Sequence, residues 1–508
     1  MGQQRAAHSA RDHALAVLRV RNAAVATALL PTAAAVLLLA GGATGHLPSG
    51  WTPLRVAVLS LAVVSLVLAA ATALVIVRAR PEDTPTIDLP ERAAPALHGL
   101  IRDLAARLDV PAPTGLALTP DCDSWLEERS GRPGSAAGPV LVIGSPFLWW
   151  MRVGELRALL APVVAGTGPS AHPDIAAARR SVRNLDATAA LEGDTAALRH
   201  PVRALAGRLA RVLLRHAGPH ATRMERGVAA AASARARAVD YGTRVVAQEQ
   251  VGLAYAGWDR LLTRVALPAW RAGRWPRRLN AGVVAALTEL SRRDRLAESF
   301  TSRLGERPAC DLLEEPGAVD EEISRLAARL FHGSPARGSD WEPVDWPAYP
   351  QEVVDRIWRE RAARLFSALD ATGHPTLSRV LQLLGEAAAE GGTDSLAARV
   401  EAAHARSGAV PVSPFTTPPL AFPLQPARSG RDLLVEHIAA AVCCATADAT
   451  AAAPGLDWLD GPVLVTDGER CKDLTAPVSS LVEDGDGRPL RNWLADAGVP
   501  PDKLVRLV

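Results

Sequence analysis

Lysine is almost absent from this sequence, and aromatic residues are scarce. Lys472 and Lys503 are the only lysines, so basic charge is carried by arginine, and 56 basic residues nearly balance 54 acidic ones. The resulting net charge of +2 gives no support for a nucleic-acid partner, because such proteins concentrate basic charge. Aromatic residues make up 4% of the chain, and this scarcity together with alanine-rich segments favours a mostly helical body.

Cysteine is also sparse, and the sequence lacks several catalytic motifs. The five cysteines are odd in number and irregularly spaced, with no Cys-x-x-Cys pair, which argues against a zinc ribbon, a redox site or a disulfide framework. We expect the adjacent Cys443 and Cys444 to be buried as small apolar residues. The glycine-rich segment 166–170 lacks the Gly-Lys-Ser/Thr of a phosphate loop, and no Gly-x-Ser-x-Gly elbow occurs.

Two long uncharged runs, residues 23–41 and 56–77, are present near the N-terminus. About 20 apolar residues cross a bilayer core, so we predict a transmembrane hairpin. A cleaved signal peptide is the alternative for the first run, but its long polar lead and its length argue against cleavage. Arginines flank the hairpin at positions 5, 11, 19, 21, 78 and 80, and the loop carries only Arg55. The positive-inside rule then predicts a multi-pass protein of the cell membrane with both termini cytoplasmic.

The segment 154–166 begins Gly-Glu-Leu-Arg-Ala and continues as an apolar helix with Pro162, Val163 and Gly166 near its end. It resembles the active-site helix of the HtpX-like and CAAX-prenyl-protease-like membrane zinc metallopeptidases. In that family a similar lead-in runs into His-Glu-x-x-His, in which two histidines bind zinc and the Glu activates water. The resemblance places Pro162, Val163 and Gly166 at the positions of the first His, the Glu and the second His.

A second part of the resemblance lies at residues 233–247. The family has a Glu that supplies the third zinc ligand, followed four residues later by an Asp that orients a metal-binding His. Here Ala236 stands at the Glu position and Asp240 at the Asp position. The resemblance covers roughly residues 92–267 and implies a zincin-like domain whose ligands and base are all replaced. It therefore implies no bound cofactor.

The rest of the chain is divided by composition. We predict a cytoplasmic basic N-terminus (1–22), a transmembrane hairpin (23–77), a metallopeptidase-like domain with a small sheet (80–270) and a helical extension (271–409). A charge-free segment with six prolines forms a linker (410–427), and a C-terminal α/β module follows (428–508). The fold class predicted is thus mostly α (α+β), with the hairpin preceding a zincin-like helical domain and two extensions.

Two weaker features have both a functional and an ordinary interpretation. His172 and Asp174 are competent metal ligands, but we favour the ordinary interpretation, a polar loop followed by a helix cap. The predicted helix 202–215 has leucines on one face and Arg208, Arg211 and Arg215 on the other, which fits a solvated face or contact with anionic lipid headgroups.

The sequence therefore predicts a membrane-anchored, catalytically inactive metallopeptidase-like protein that binds a protein or peptide partner at the cytoplasmic membrane face. One alternative is an active zinc endopeptidase with non-standard ligands such as His172, Asp174 and Asp240. The other is a membrane scaffold that acts through its C-terminal module.

Overall fold

The fold of this chain is mostly helical. A computed structural model describes residues 2–44, 46–79, 84–129, 138–190, 201–237, 241–293, 307–333, 341–369, 374–390, 392–408 and 428–507. Helix accounts for 72% of the chain and the sheets are small, which confirms the predicted mostly α composition. Asp240 and the predicted linker 410–427 lie outside the described residues.

The two apolar runs lie in two long helices, α1 (Gly2–Ala43) and α2 (Thr52–Arg78). Both are long and apolar enough to cross a membrane. Only 6% of the most apolar window of α1 and 11% of that of α2 are buried, so these helices do not form the core of the fold. Large apolar side chains such as Leu37 and Val77 are more than 70% exposed. Exposed apolar surface of this extent fits a membrane-associated protein.

Helix α1 begins some 20 residues before its apolar run because its polar half packs against the rest of the protein. It packs against helices α7 (Pro173–Ala190) and α8 (Pro201–Ala236). A small separate core forms there from Ala10, Ala14, Val17, Ile175, Ala178, Ala217, Met224 and Val228. The backbones approach so closely that a Cβ on Gly227 would lie 2.9 Å from the Ala10 Cβ. The Arg11 Nε also donates to Asp174 Oδ2 at 3.0 Å.

A four-stranded sheet forms the β part of the central region. Its strands are β1 (Ile87–Leu89), β2 (Gly115–Thr119), β3 (Trp125–Glu128) and β4 (Pro139–Gly144). Their order is β1-β2-β4-β3, with β2 and β4 parallel and both outer strands antiparallel to their neighbours. The outer strands β1 and β3 are short, and the periodicity of the sequence did not predict them.

Helices cover this sheet and extend the same core. Helix α3 (Pro95–Arg107) buries Leu97, Leu100, Ile101 and Leu104, which recur at helical spacing. Strand β4 leads into α4 (Ser145–Trp150), whose Trp149 and Trp150 are buried in the core. The succeeding elements are α5 (Val153–Ala165), α6 (Thr167–Ser170), α7, α8, α9 (Tyr241–Leu261), a π turn (Leu262–Ala266) and α10 (Leu267–Arg271).

The following region is helical, as its sequence predicts. It contains β5 (Arg274–Pro276), α11 (Leu279–Arg293), α12 (Pro316–His332) and β6 (Glu342–Val344), which pairs in parallel with β5. A π turn (Pro350–Asp355) then leads into α13 (Arg356–Ala368), and α14 (Leu377–Ala389) and α15 (Asp394–Gly408) follow.

The C-terminal residues share one hydrophobic core with the preceding helices. Helix α16 (Gly430–Ala449) packs against α13 and α15, with Leu434 and Ile438 fully buried. Strands β7 (Ala453–Asp457), β8 (Gly461–Thr466) and β9 (Glu469–Arg470) form a meander, followed by α17 (Thr475–Glu483) and α18 (Arg488–Asp496). Cys444 is buried, as expected, whereas Cys443 is only half-buried because it lies at the margin of the core. Burial raises the pKa of the Cys444 thiol to about 12. The domain boundaries drawn from composition remain predictions.

Candidate functional site

Helix α5 contains most of the segment 154–166, on which the proposed family resemblance rests. The Arg152 backbone N–H donates to Glu155 Oε2 at 2.9 Å, so a first-turn carboxylate satisfies an amide at the helix start. Leu156, Leu160 and Val164 are fully buried and attach the helix to the core. The helix continues to Ala165 even though Pro162 lies inside it and lacks a backbone N–H donor.

The three positions that the resemblance assigns to the zinc motif lie together at the C-terminal end of α5. Pro162 and Val163 are half-buried, and Gly166 is buried directly after the helix. None of these side chains carries an atom that binds a metal. A Cβ on Gly166 would lie 3.4 Å from Leu126 Cδ1, so this end of α5 contacts strand β3.

The fourth position, Ala236, is the last residue of α8 and is 3% exposed. Helix α8 packs against α5. Contact near these positions is direct, because a Cβ on Gly168 would lie 2.8 Å from the guanidinium of Arg235. The structure thus brings the ends of α5 and α8 together around small and apolar side chains. Asp240, the predicted orienting residue, is outside the described part of the chain.

His172 and Asp174 lie at the start of α7, where each has a local partner. The Asp174 N–H donates to His172 Nδ1 at 3.2 Å, and the Asp174 carboxylate accepts from Arg11. Among the residues that the structure describes, no three His, Cys, Asp or Glu side chains are grouped closely enough to hold a metal ion. The contacts of Asp174 are those of a helix start that also receives the N-terminal segment.

Charged contacts fix strand β3 against α7. Arg183 donates to both the backbone carbonyl and the carboxylate of Glu128, and Arg179 pairs with Glu128 and with Glu225 on α8. Burial acts to lower the pKa of Arg179, but its hydrogen bonds with Glu225 raise the pKa above the ordinary value. These ion pairs join the sheet edge, α7 and α8 into one unit around the end of α5.

An apolar groove, which sequence reasoning missed, lies between α1, α2, α7 and α8. Its volume is about 880 Å³. The predicted leucine stripe of helix 202–215 lines it through Leu205, Leu209 and Leu213, while the arginines on the other face of that helix are exposed. The stripe was visible in the sequence, but its partner surface on α2 was not.

Comparison with known proteins found no relative of this chain. Neither the protein-family models, nor the curated proteins, nor the solved structures include a match to this chain.

Proposed function

We propose that this protein is membrane-anchored and binds a protein or peptide partner on a metallopeptidase-like scaffold without cleaving it. The observation that carries the proposal is the composition of the joined ends of α5 and α8. Pro162, Val163, Gly166 and Ala236 occupy the four positions that the family resemblance assigns to ligands and base, and no side chain among them binds zinc or accepts a proton.

We also propose that α1 and α2 cross the membrane and that both termini are cytoplasmic. The polar half of α1 packs on α7 and α8, through the small core around Ala14 and the Arg11–Asp174 pair. The chain leaving α2 enters the same body. A hairpin whose two ends belong to one body has both ends on one side of the bilayer, and the flanking arginines favour the cytoplasmic side.

The binding surface that we propose is the outer edge of β3 at Trp125 and Leu126, ahead of Glu128, whose carbonyl already accepts from Arg183 of α7. In the described sheet β3 pairs only with β4, and Trp125 and Leu126 are half-exposed beside the end of α5. An extended peptide adds to such an edge through main-chain hydrogen bonds, and alternate side chains give specificity. The half-exposed apolar residues favour a partner segment with apolar side chains.

Site-specific photo-cross-linking tests this surface in membranes from the native host. A photoreactive phenylalanine analogue at Leu126 should form a discrete cross-linked product, because the partner segment lies against β3. The same photoreactive residue at Ala96, an exposed position of α3, is the matched control and should form none. Equal products at both positions, or none at Leu126, would overturn the edge-strand proposal.

A third cross-linking position distinguishes binding at β3 from the alternative of a scaffold that acts through its C-terminal region. Asn492 is exposed on α18 in the C-terminal region. Products at Asn492 and not at Leu126 would favour recruitment by that region. Deleting residues 428–508 is not a usable test, because Leu434 and Ile438 of α16 belong to the shared core and their loss would damage the whole fold.

Metal analysis tests the loss of catalysis. We expect the purified protein to contain well below one zinc per chain and to show no chelator-sensitive peptidase activity, because the ligand positions carry no donor atoms. Mass-spectrometric metal analysis and a peptide-hydrolysis assay measure both. His172→Ala should leave the metal content unchanged. Stoichiometric zinc in the wild type that His172→Ala removes would instead establish the active-peptidase alternative.

A further inference from the structure

The groove between α1, α2, α7 and α8 opens on the surface that we assign to the membrane. Val25, Leu29, Leu66, Leu68 and Val77 line the groove and are at least 40% exposed, so it is continuous with the exposed apolar belt of the hairpin. A ligand can therefore enter the groove laterally from the bilayer, without passing through water.

The length of the groove matches one leaflet. Its α2 wall runs from Ser65 to Val77, close to the arginine that ends the helix. Twelve steps of an α-helix rise about 18 Å, and half of a bilayer hydrocarbon core is about 15 Å. In the proposed orientation the groove thus spans the cytoplasmic leaflet, from the interface towards the midplane.

Among the described residues that line the groove, the charged side chains are Arg21 of α1 and Arg180 of α7, and none is acidic. Within this described part of the chain, Arg21 Nε and Nη2 donate to the neighbouring Asn22 amide oxygen, at 3.2 and 3.1 Å. Within the described chain, Arg180 has no carboxylate within ion-pairing distance. Because α1 and α2 are antiparallel, Arg21 lies towards the end of α2 that carries Arg78, which is the headgroup level.

The groove has the size of a small-ligand site, with a volume of about 880 Å³. This volume lies within the range of about 300–1,000 Å³ that is typical of small-ligand pockets. Apolar walls of leaflet length with two arginines at the interface complement an acyl chain attached to an anionic headgroup.

We propose that this groove binds one anionic phospholipid of the cytoplasmic leaflet, its acyl chain against α2 and α8 and its phosphate against Arg21 and Arg180. The bound lipid would fill the space between the hairpin and the α7–α8 pair and hold them together. The inference rests on the membrane insertion that we proposed above, but not on the loss of catalysis.

Native mass spectrometry of the full-length protein released from nanodiscs tests the inference. The nanodiscs contain equal amounts of phosphatidylglycerol and phosphatidylcholine. We expect one retained phosphatidylglycerol per chain. Arg21→Gln and Arg180→Gln should each lower the retained phosphatidylglycerol-to-phosphatidylcholine ratio roughly fivefold, as expected for one arginine at a lipid surface. Arg19→Gln removes the same charge from an exposed position of α1 outside the groove and should leave the ratio unchanged.

A second pair of variants tests the acyl-chain part without changing charge. Ala73→Trp fills the groove and should abolish lipid retention, whereas Val67→Trp faces outward from α2, does not line the groove and should not. Retention without headgroup preference, retention unaffected by Ala73→Trp, or no retained lipid would each overturn the inference. Carbonate extraction distinguishes failure of the lipid-binding inference from failure of the proposed anchoring, because a protein released by carbonate is not inserted in the membrane at all.

Discussion

Replacing Asp320 with alanine is expected to lower the free energy of unfolding by about 4 kcal/mol. The Asp320 side chain is 2% exposed and accepts hydrogen bonds from the backbone N–H groups of Asn280 and Ala281, at 3.0 and 3.1 Å. It also accepts from Asn280 Nδ2 at 2.9 Å and from Ser324 Oγ at 3.3 Å. Alanine would leave these buried donors at the start of α11 without an acceptor.

The network around Asp320 explains why the loss is large. Ser145 Oγ at the start of α4 donates to Asn280 Oδ1 at 2.9 Å, and the Leu279 N–H donates to Ser324 Oγ at 2.9 Å. These bonds join α4, α11 and α12 inside the core, where unpaired polar groups are costly. Three helices, whose bonded residues are 135 and 40 positions apart in the sequence, therefore depend on one carboxylate.

Thermal unfolding in detergent measures the effect. With an unfolding entropy of roughly 2 cal/mol/K per residue, a loss of about 4 kcal/mol lowers Tm by about 4 °C. Glu322→Ala, an exposed position on the same helix, is the matched control and should change stability by no more than about 0.5 kcal/mol. Asp320→Asn keeps one acceptor and should fall between the two. An unchanged Tm for Asp320→Ala would show that the network contributes nothing.

Replacing His437 with methionine is expected to make the protein less sensitive to acid. His437 is 1% exposed on α16, with Nδ1 2.6 Å from the Leu433 carbonyl oxygen. Its pKa is lowered from 6.5 to about 4, chiefly by burial; Arg361 and Arg364 act in the same direction, and the Leu433 carbonyl and Glu436 oppose the shift. The folded protein therefore holds a neutral imidazole in a cationic environment.

The sign of the pH dependence follows from the lowered pKa. The unfolded chain binds a proton near pH 6.5, whereas the folded protein does not until about pH 4. The stability contributed by neutral His437 is thus complete above pH 6.5 and is lost as the pH falls towards 4. At pH 5 the loss is about 2 kcal/mol relative to pH 7, so wild-type Tm should fall by about 2 °C more than that of His437→Met.

His374 provides the control for this measurement, because its side chain is exposed. His374→Met should show the wild-type pH dependence. The comparison is made at pH 5 and above, where Glu436, whose pKa is lowered below its ordinary value by Arg361 and Arg428 despite burial, stays ionised. A pH profile of His437→Met that matches the wild type would show that another group carries the acid sensitivity.

Local periodicity was sufficient for much of the secondary structure. The buried positions of α3, α14 and α17 follow the helical repeat, and the central strands β2 and β4 are mostly continuous apolar runs. Each of these elements buries one face or one continuous run, so its hydrophobic pattern depends only on residues close together in the sequence. The outer strands β1 and β3 are too short for such a pattern. They form because the backbone N–H and C=O groups on the outer sides of β2 and β4 hydrogen-bond with theirs.

The candidate sites divide in the same way. The absence of ligand atoms at Pro162, Val163, Gly166 and Ala236 is a property of residue identity alone. That α5 and α8 pack together there is a property of the folded chain. The groove at Arg21 and Arg180 was beyond sequence reasoning, because its walls come from four helices and neither arginine stands in a recognisable motif.

By itself, the sequence determined a mostly helical protein with two apolar helices near its N-terminus, because helix formation and apolar length depend on residues close together in the chain. Tertiary structure alone decided that the polar half of α1 docks on α7 and α8, that the C-terminal residues share the main core, and that Asp320 joins three helices. Those features depend on contacts between distant residues, and such contacts are specified by the complementarity of whole surfaces.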